Sequence, residues 1–227
     1  MKIAICDDIM EERTRIQNYC KNLGYTDLTL YSCGEDFLNS SEISTVNLLF
    51  LDIEMNKVNG IEVKNTLERT NPSTFIVFTT THHELMPEAF GRNVISFLTK
   101  PFTERSIKHC LDKASYLTKD FFPIIIDEHF SVLCQDILYL HAENKYTVFY
   151  TTDGNTISSR DSLTTWKERL KEFGFCSISR NSVINLKHYK RTFQKKAVLT
   201  NGMRLPVSRR CLETLDNNFN NYMINRI

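Results

Sequence analysis

Asp7, Asp8, Asp52, Thr80 and Lys100 each end or closely follow a short apolar run, and together they could do phosphorus chemistry. Three carboxylates brought side by side repel one another unless a cation joins them. A hard divalent ion with oxygen ligands, such as Mg²⁺, meets that need. Beside such an ion a carboxylate can act as a nucleophile toward phosphorus and give an acyl phosphate. The Thr80 hydroxyl could meet a phosphoryl oxygen, although Thr79 leaves that assignment open by one position. Lys100 supplies a positive charge, and Pro101 after it can fix the loop through a cis peptide bond. Acids at strand ends are common in loops, and a Lys-Pro pair is weak by itself. The combination on successive strand ends is far more specific than any one member.

A second group of residues could hold a polyanion. The net charge of +1 hides an asymmetry: residues 1–118 carry 12 basic and 16 acidic side chains, and residues 119–227 carry 16 and 11. Between Glu172 and Glu213 there is no acid. There are nine bases: Arg180, Lys187, Lys190, Arg191, Lys195, Lys196, Arg204, Arg209 and Arg210. A charge run can be merely a solvated face, but ordinary soluble surfaces mix both signs. Such a stretch suits phosphate contacts, with a few side chains left to reach base edges.

These residues need elements to position them. Apolar runs at 2–6, 28–31, 46–51, 75–79 and 94–98 read as strands. Between them, 10–22, 35–39, 61–69, 83–90 and 103–117 read as helices, the third stopping before Pro72. Five strands alternating with helices predict an α/β fold with a parallel sheet covered on both faces. Sites in such sheets form beyond the C-terminal strand ends, where the carboxylates, Thr80 and Lys100 lie. After Asp120 the pattern changes to short β-type segments at 122–126, 130–133, 137–141, 146–151, 156–159, 182–186, 197–200 and 203–206. Asp153-Gly154 and Asn201-Gly202 mark hairpin turns. One helix is predicted over 164–173, ended by Gly174, and another after Ser208 carrying Leu212 and Leu215. The expected division is 1–118 and 122–227, the second domain being mostly β.

The composition excludes several classes. No run of about 18 apolar residues offers a membrane helix. The N-terminal apolar stretch is too short for a signal peptide, so a cytoplasmic protein is expected. The seven cysteines are scattered and lack a C-x-x-C pair, which argues against zinc or a disulfide framework.

The first half resembles the receiver domain of bacterial two-component response regulators over about residues 1–118. The matching segments are Ile5-Cys6-Asp7-Asp8, Leu49-Phe50-Leu51-Asp52-Ile53-Glu54-Met55, Asn59-Gly60-Ile61-Glu62, Phe78-Thr79-Thr80-Thr81 and Phe97-Leu98-Thr99-Lys100-Pro101. The resemblance implies a flavodoxin-like five-stranded sheet with Asp52 as the phosphorylation site. It implies Mg²⁺ held by Asp7, Asp8, Asp52 and the backbone carbonyl of Glu54. Thr80 and Lys100 become switch residues, and Phe97 the aromatic that follows Thr80 inward. Asn56 stands where the family usually has proline, and Thr81 where it usually has a small residue.

The second half resembles the LytTR DNA-binding domain over about 122–220. The segments are Ile137-Leu138-Tyr139-Leu140-His141-Ala142-Glu143-Asn144-Lys145-Tyr146, Ser162-Leu163, the stretch Phe175 to Leu186, and Asn201 to Arg210 with its Leu-Pro-Val-Ser-Arg-Arg. That resemblance implies a mostly β domain whose loops enter successive major grooves. Asn144, Lys145, Arg180 and Arg209 become candidates for DNA contact. The two arginines are favoured for guanine, and Lys187, Lys190 and Arg210 for phosphates. Ser177-Ile178-Ser179-Arg180-Asn181 departs from the usual Arg-x-His-Arg-Ser at its polar positions other than Arg180.

The reading is a transcription regulator, phosphorylated at Asp52 by a sensor histidine kinase, that dimerises and binds paired half-sites on double-stranded DNA. It is not expected to be an enzyme beyond its own phosphorylation and slow dephosphorylation. A Mg²⁺-dependent phosphatase with an aspartyl nucleophile is the rival, disfavoured by the lack of Asp-x-Asp at the first strand. A receiver whose basic domain binds RNA or a protein is the other.

Overall fold

The computed structural model describes residues 1–81, 86–224 and 226. The chain divides into two compact units, Met1–Thr118 and Lys119–Ile227.

The first unit alternates strand and helix: β1 (Ile3–Cys6), α1 (Met10–Asn22), β2 (Leu28–Tyr31), α2 (Gly34–Leu38), β3 (Leu48–Asp52), α3 (Gly60–Thr70), β4 (Phe75–Thr80), α4 (Met86–Ala89), β5 (Val94–Thr99) and α5 (Glu104–Thr118). All four strand pairings are parallel, in the order β2-β1-β3-β4-β5. This is the flavodoxin-like sheet, and its central strands β1, β3 and β4 are apolar and buried throughout because both faces are covered. On one face, Ala4, Leu49, Leu51, Ile76 and Phe78 pack with Phe37 of α2 and with Val63 and Leu67 of α3. The buried residues of α1 are Ile16 and Cys20, and those of α5 are Ile107, Cys110, Leu111 and Ala114. The helix expected over 83–90 lies partly outside the described residues, of which 86–89 are helical.

The second unit is mostly antiparallel β. It contains β6 (Pro123–Ile125), β7 (Ser131–Leu133), β8 (Ile137–Glu143), β9 (Tyr146–Thr151), β10 (Thr156–Ser159), α6 (Leu163–Arg169), β11 (Phe175–Ser177), β12 (Ser182–Asn185), β13 (Tyr189–Phe193), β14 (Lys196–Leu199), β15 (Arg204–Pro206) and α7 (Arg209–Ile224). The main sheet runs β10-β9-β8-β12-β11, with a three-stranded sheet β13-β14-β15 and the pair β6-β7. Strand alternation sends Leu140, Phe149 and Val183 to one face, where Trp166 of α6 meets Phe149 edge-on at 4.8 Å. It sends Tyr139 and Ile184 to the other, against Leu215 of α7 and Ala197 and Leu199 of β14.

Two strands were not expected from the sequence, β11 and β13. β13 reads Tyr-Lys-Arg-Thr-Phe, and its bases hide its alternation. The helix predicted over 164–173 is shorter: Ser162 caps it by accepting from Thr165 N, and α6 ends at Arg169. The following turns bury Leu170 and close at Gly174, whose φ of 78° lies in the left-handed region. No described helix is long and apolar enough to cross a membrane.

Candidate functional site

The register of the parallel sheet assembles the acidic cluster. Cys6 pairs with Leu51 across β1 and β3, so Asp7 and Asp52 leave the sheet side by side. Each of Asp7, Asp8 and Asp52 offers one oxygen, and these atoms lie within 4.8 Å of one another. Gly60 sets the loop after Asp52. A side-chain carbon there would come within 2.2 Å of the Asp52 carbonyl oxygen, so only glycine lets α3 begin against the end of β3. The Gly60 N–H donates to Ile53 O at 2.9 Å, and Asn59 caps α3 by accepting from Glu62 N at 2.9 Å.

Lys100 joins the acids. Its Nζ lies 2.7 Å from Asp7 Oδ2 and 3.1 Å from Asp52 Oδ2. Its backbone N–H donates to Thr80 O at 2.9 Å, and the Lys100–Pro101 peptide bond is cis. Arg13 of α1 donates to the carbonyl of Asp7, a basic neighbour that the sequence reading did not include. Asn56, a departure from the proline usual in the family, donates from its Nδ2 to Asp8 Oδ2 at 3.0 Å. No spacing signal links those two residues, because the contact is made between loops from different strands.

The electrostatics follow from burial and crowding. Desolvation pushes the Asp52 carboxyl up to about 6; Lys100 pulls it down, while Asp7 and Asp8 push it further up. Burial alone would lower Lys100, but its bonds to Asp7 and Asp52 and their charge leave it raised. One ammonium thus contacts two of the three clustered carboxylates, whose donor atoms are all oxygen. That set is able to hold a hard divalent cation.

Thr79 and Thr80 are both buried at the end of β4. Thr79 stands in register with Asp52, and its Oγ1 is buried without a hydrogen-bond partner among the described residues. Thr80 stands in register with Thr99, one residue before Lys100. Phe97 is half-buried, stacked on buried Phe78 at 5.6 Å and tilted against exposed Phe90 at 5.0 Å. The Glu54 side chain is exposed at the rim.

In the second unit, backbone bonds draw most of the basic candidates to one end of the main sheet. Asn144 and Lys145 form the exposed β8–β9 turn, where Asn144 adopts a φ of 52°. The Ala142 N–H donates to Asn181 O at 2.8 Å, which places exposed Arg180 beside that turn. The Ser208 N–H donates to Ile178 O at 2.8 Å, which brings the exposed Arg209 and Arg210 at the start of α7 to the same end. Lys190 is exposed at a bulge in β13.

Lys187, expected among the phosphate contacts, is held in an ion pair. Its Nζ is held at 2.7 Å from Asp120 Oδ2 and 3.1 Å from Gln135 Oε1, so its charge is already paired.

Comparison with known proteins matches one family to each unit. Residues 3–112 match the response regulator receiver domain, and residues 127–220 match the LytTr DNA-binding domain. "Transcriptional regulatory protein LytR" of Staphylococcus aureus (strain N315) is 25% identical, over 92% of this chain and 95% of its own length. "Sensory transduction protein LytR" of Streptococcus agalactiae is 25% identical, over 95% of this chain and 98% of its own. "Sensory transduction protein LytT" of Bacillus subtilis is 25% identical, over 72% and 75%. A receiver followed by a DNA-binding domain defines a response regulator, a class that does not turn over a substrate as a conventional enzyme does. The chain belongs to the LytTR family of response regulators. Its architecture and acidic cluster are consistent with phosphorylation-based control of DNA binding.

Proposed function

We propose that Asp52 accepts a phosphoryl group from the phosphohistidine of a sensor kinase, and that the modified chain dimerises on DNA to regulate transcription. A carboxylate oxygen of Asp52 attacks phosphorus. An O–P bond forms, the P–N bond breaks, and the electron pair leaves with the imidazole. The observation that carries this reading is the contact of Lys100 with both Asp7 and Asp52 inside the three-carboxylate cluster. Mg²⁺, the cation proposed here, would neutralise phosphoryl oxygens from a position held by Asp7, Asp8, Asp52 and the Glu54 carbonyl. Lys100 then moves its charge from the carboxylates to the phosphoryl group. Thr80 turns its hydroxyl toward the same group, and Phe97 follows into the space released.

In the second unit, Arg180 and Arg209 are proposed to reach base edges, with Asn144 and Lys145 beside them. Lys190 and Arg210 meet phosphates. Dimerisation through the receiver brings two basic domains to paired half-sites, each raising the effective concentration of the other. The relatives named as transcriptional regulatory proteins support the regulatory role. The test is the apparent mass of the full chain on a sizing column, with and without acetyl phosphate and Mg²⁺. Wild type should shift to a dimer and Asp52→Asn should not. A variant that still dimerises on treatment sinks the mechanism.

A further inference from the structure

The three-stranded sheet β13-β14-β15 has one face that the proposed site residues leave unused. Cross-strand register pairs Arg191 with Val198, and Val198 with Arg204. It pairs Phe193 with Lys196, and Lys196 with Pro206. Residues directly opposite one another share a face, and residues two apart along a strand share it also. Arg191, Phe193, Lys196 and Arg204 therefore stand together. The opposite face carries Ala197, which is fully buried and packs into the core with Leu205.

The outward face has three features of an anion surface. Phe193 is 44% exposed, a large ring kept in water on a sheet whose other face is core. The guanidinium carbons of Arg191 and Arg204 lie 5.7 Å and 5.8 Å from that ring's centre, so two like charges are gathered on one aromatic support. No acid occurs between Glu172 and Glu213 to offset them locally. Two cations collected on a ring, with Lys196 beside it, repel one another until an anion comes between them. The strand also has a strong reason to be ordered at this place. The Val207 N–H donates to Lys195 O at 2.9 Å, tying the β13–β14 turn to the segment that leads into Arg209.

We propose that this face is a second DNA contact: Arg191, Arg204 and Lys196 bind the phosphate backbone of duplex DNA, and Phe193 holds the two guanidinium groups in place. The inference rests on the reading of the second unit as a duplex-DNA binder and adds to it a surface that carries no sequence preference. Phosphate contacts of this kind add affinity equally on every sequence and steepen its salt dependence. The sheet's flank thereby extends the footprint beyond the loops that carry Arg180 and Arg209. Phe193 acts as a positioning residue, since its role is exerted through the arginines.

The experiment titrates full-length protein onto a random-sequence 30-base-pair duplex from about 50 to 200 mM salt, an interval in which each phosphate contact changes affinity severalfold. Arg191→Ala/Arg204→Ala should weaken binding about tenfold near 100 mM salt and reduce the log–log slope by about 2. Phe193→Leu should weaken binding about threefold, with the slope nearly kept, because both charges remain. Lys171→Ala, which removes a charge after α6, should leave the slope unchanged. Circular dichroism melts of each variant report that the exposed substitutions leave the fold intact. An unchanged slope in the double variant, with wild type binding duplex normally, overturns this surface alone. Failure of wild type to bind duplex at the lowest salt overturns the DNA reading as well. Tighter wild-type binding to a single-stranded RNA of equal length assigns the face to another partner and also overturns the proposal.

Discussion

Asn56 Nδ2 lies 3.0 Å from Asp8 Oδ2, joining the loop after β3 to the acid that follows β1. Asp8 is the partly exposed member of the cluster and has the most freedom to turn away. An amide donor fixes one of its oxygens without adding charge. Partners of that kind orient ligands and change metal affinity by about 10–100-fold when fully buried. For this solvent-facing pair the expected effect of Asn56→Ala is smaller, about threefold to tenfold weaker Mg²⁺ binding. The measurement is the Mg²⁺ concentration giving half-maximal labelling of the protein by acetyl phosphate. The same half-saturation in both proteins would dismiss the role of Asn56.

Thr79 and Thr80 should respond in opposite ways to loss of the hydroxyl. Thr79 Oγ1 is buried and has no hydrogen-bond partner among the described residues, so it carries a desolvation cost with no return. Thr79→Val keeps the side chain's shape and should raise stability by up to about 1 kcal/mol. It should also preserve phosphate-dependent dimerisation. Thr80→Val should abolish that response. Urea melts and sizing columns test both. Loss of the response in Thr79→Val, with Thr80→Val unaffected, would move the switch hydroxyl to the residue in register with Asp52.

The contrast between these residues explains what the sequence made legible. Asp7, Asp52, Thr80 and Lys100 end or follow apolar runs that are strands of one parallel sheet, and parallel topology gathers such strand ends automatically. Their convergence could be reasoned from order alone. The Asn56–Asp8 bond could not, because loop conformation decides it. β13 was lost for another reason. Its inward Tyr189 is buried, but Lys190 bulges and Arg191 faces out, so a half-buried strand looked like a charge run. Lys187 shared that run, and only tertiary structure reveals the acid that claims it.

His188 should make the second unit's stability depend on pH. Burial lowers its pKa from the ordinary 6.5; the Gln135 carbonyl partly offsets this, and the Lys187 charge adds to the lowering. Its Nε2 lies 2.6 Å from Gln135 O and its Nδ1 3.2 Å from Thr200 Oγ1. These partners fit a neutral ring that donates from Nε2 and accepts at Nδ1. A depressed folded-state pKa means that the unfolded chain binds the proton first. The contribution is therefore fully present above about pH 6.5 and is lost as pH falls through the lower folded value. Urea melts at pH 7.5 and pH 5.5 should show a drop in wild type that is reduced in His188→Gln. An equal drop in both would assign the effect to other groups.

Asp120 is the counter-charge that pairs with Lys187. Its carboxylate receives Lys187 Nζ at 2.7 Å and both terminal nitrogens of Arg226, and its side chain is only 9% exposed. Residues far apart in sequence meet at this one acid: the start of the unit, the short helical turn before β13, and the end of the chain. Removing the acid leaves two cations facing each other without compensation. A fully buried pair broken in that way costs about 3–5 kcal/mol, and partial exposure of Lys187 reduces the figure to about 2 kcal/mol for Asp120→Asn. Lys187→Ala should also destabilise the unit, but less, because Arg226 still satisfies the carboxylate. The salt slope of duplex binding distinguishes the clamp from a DNA contact. With the clamp, Lys187→Ala lowers the urea midpoint and leaves the slope as it was. If the midpoint stays and the slope falls by about 1, Lys187 releases Asp120 and meets a phosphate after all.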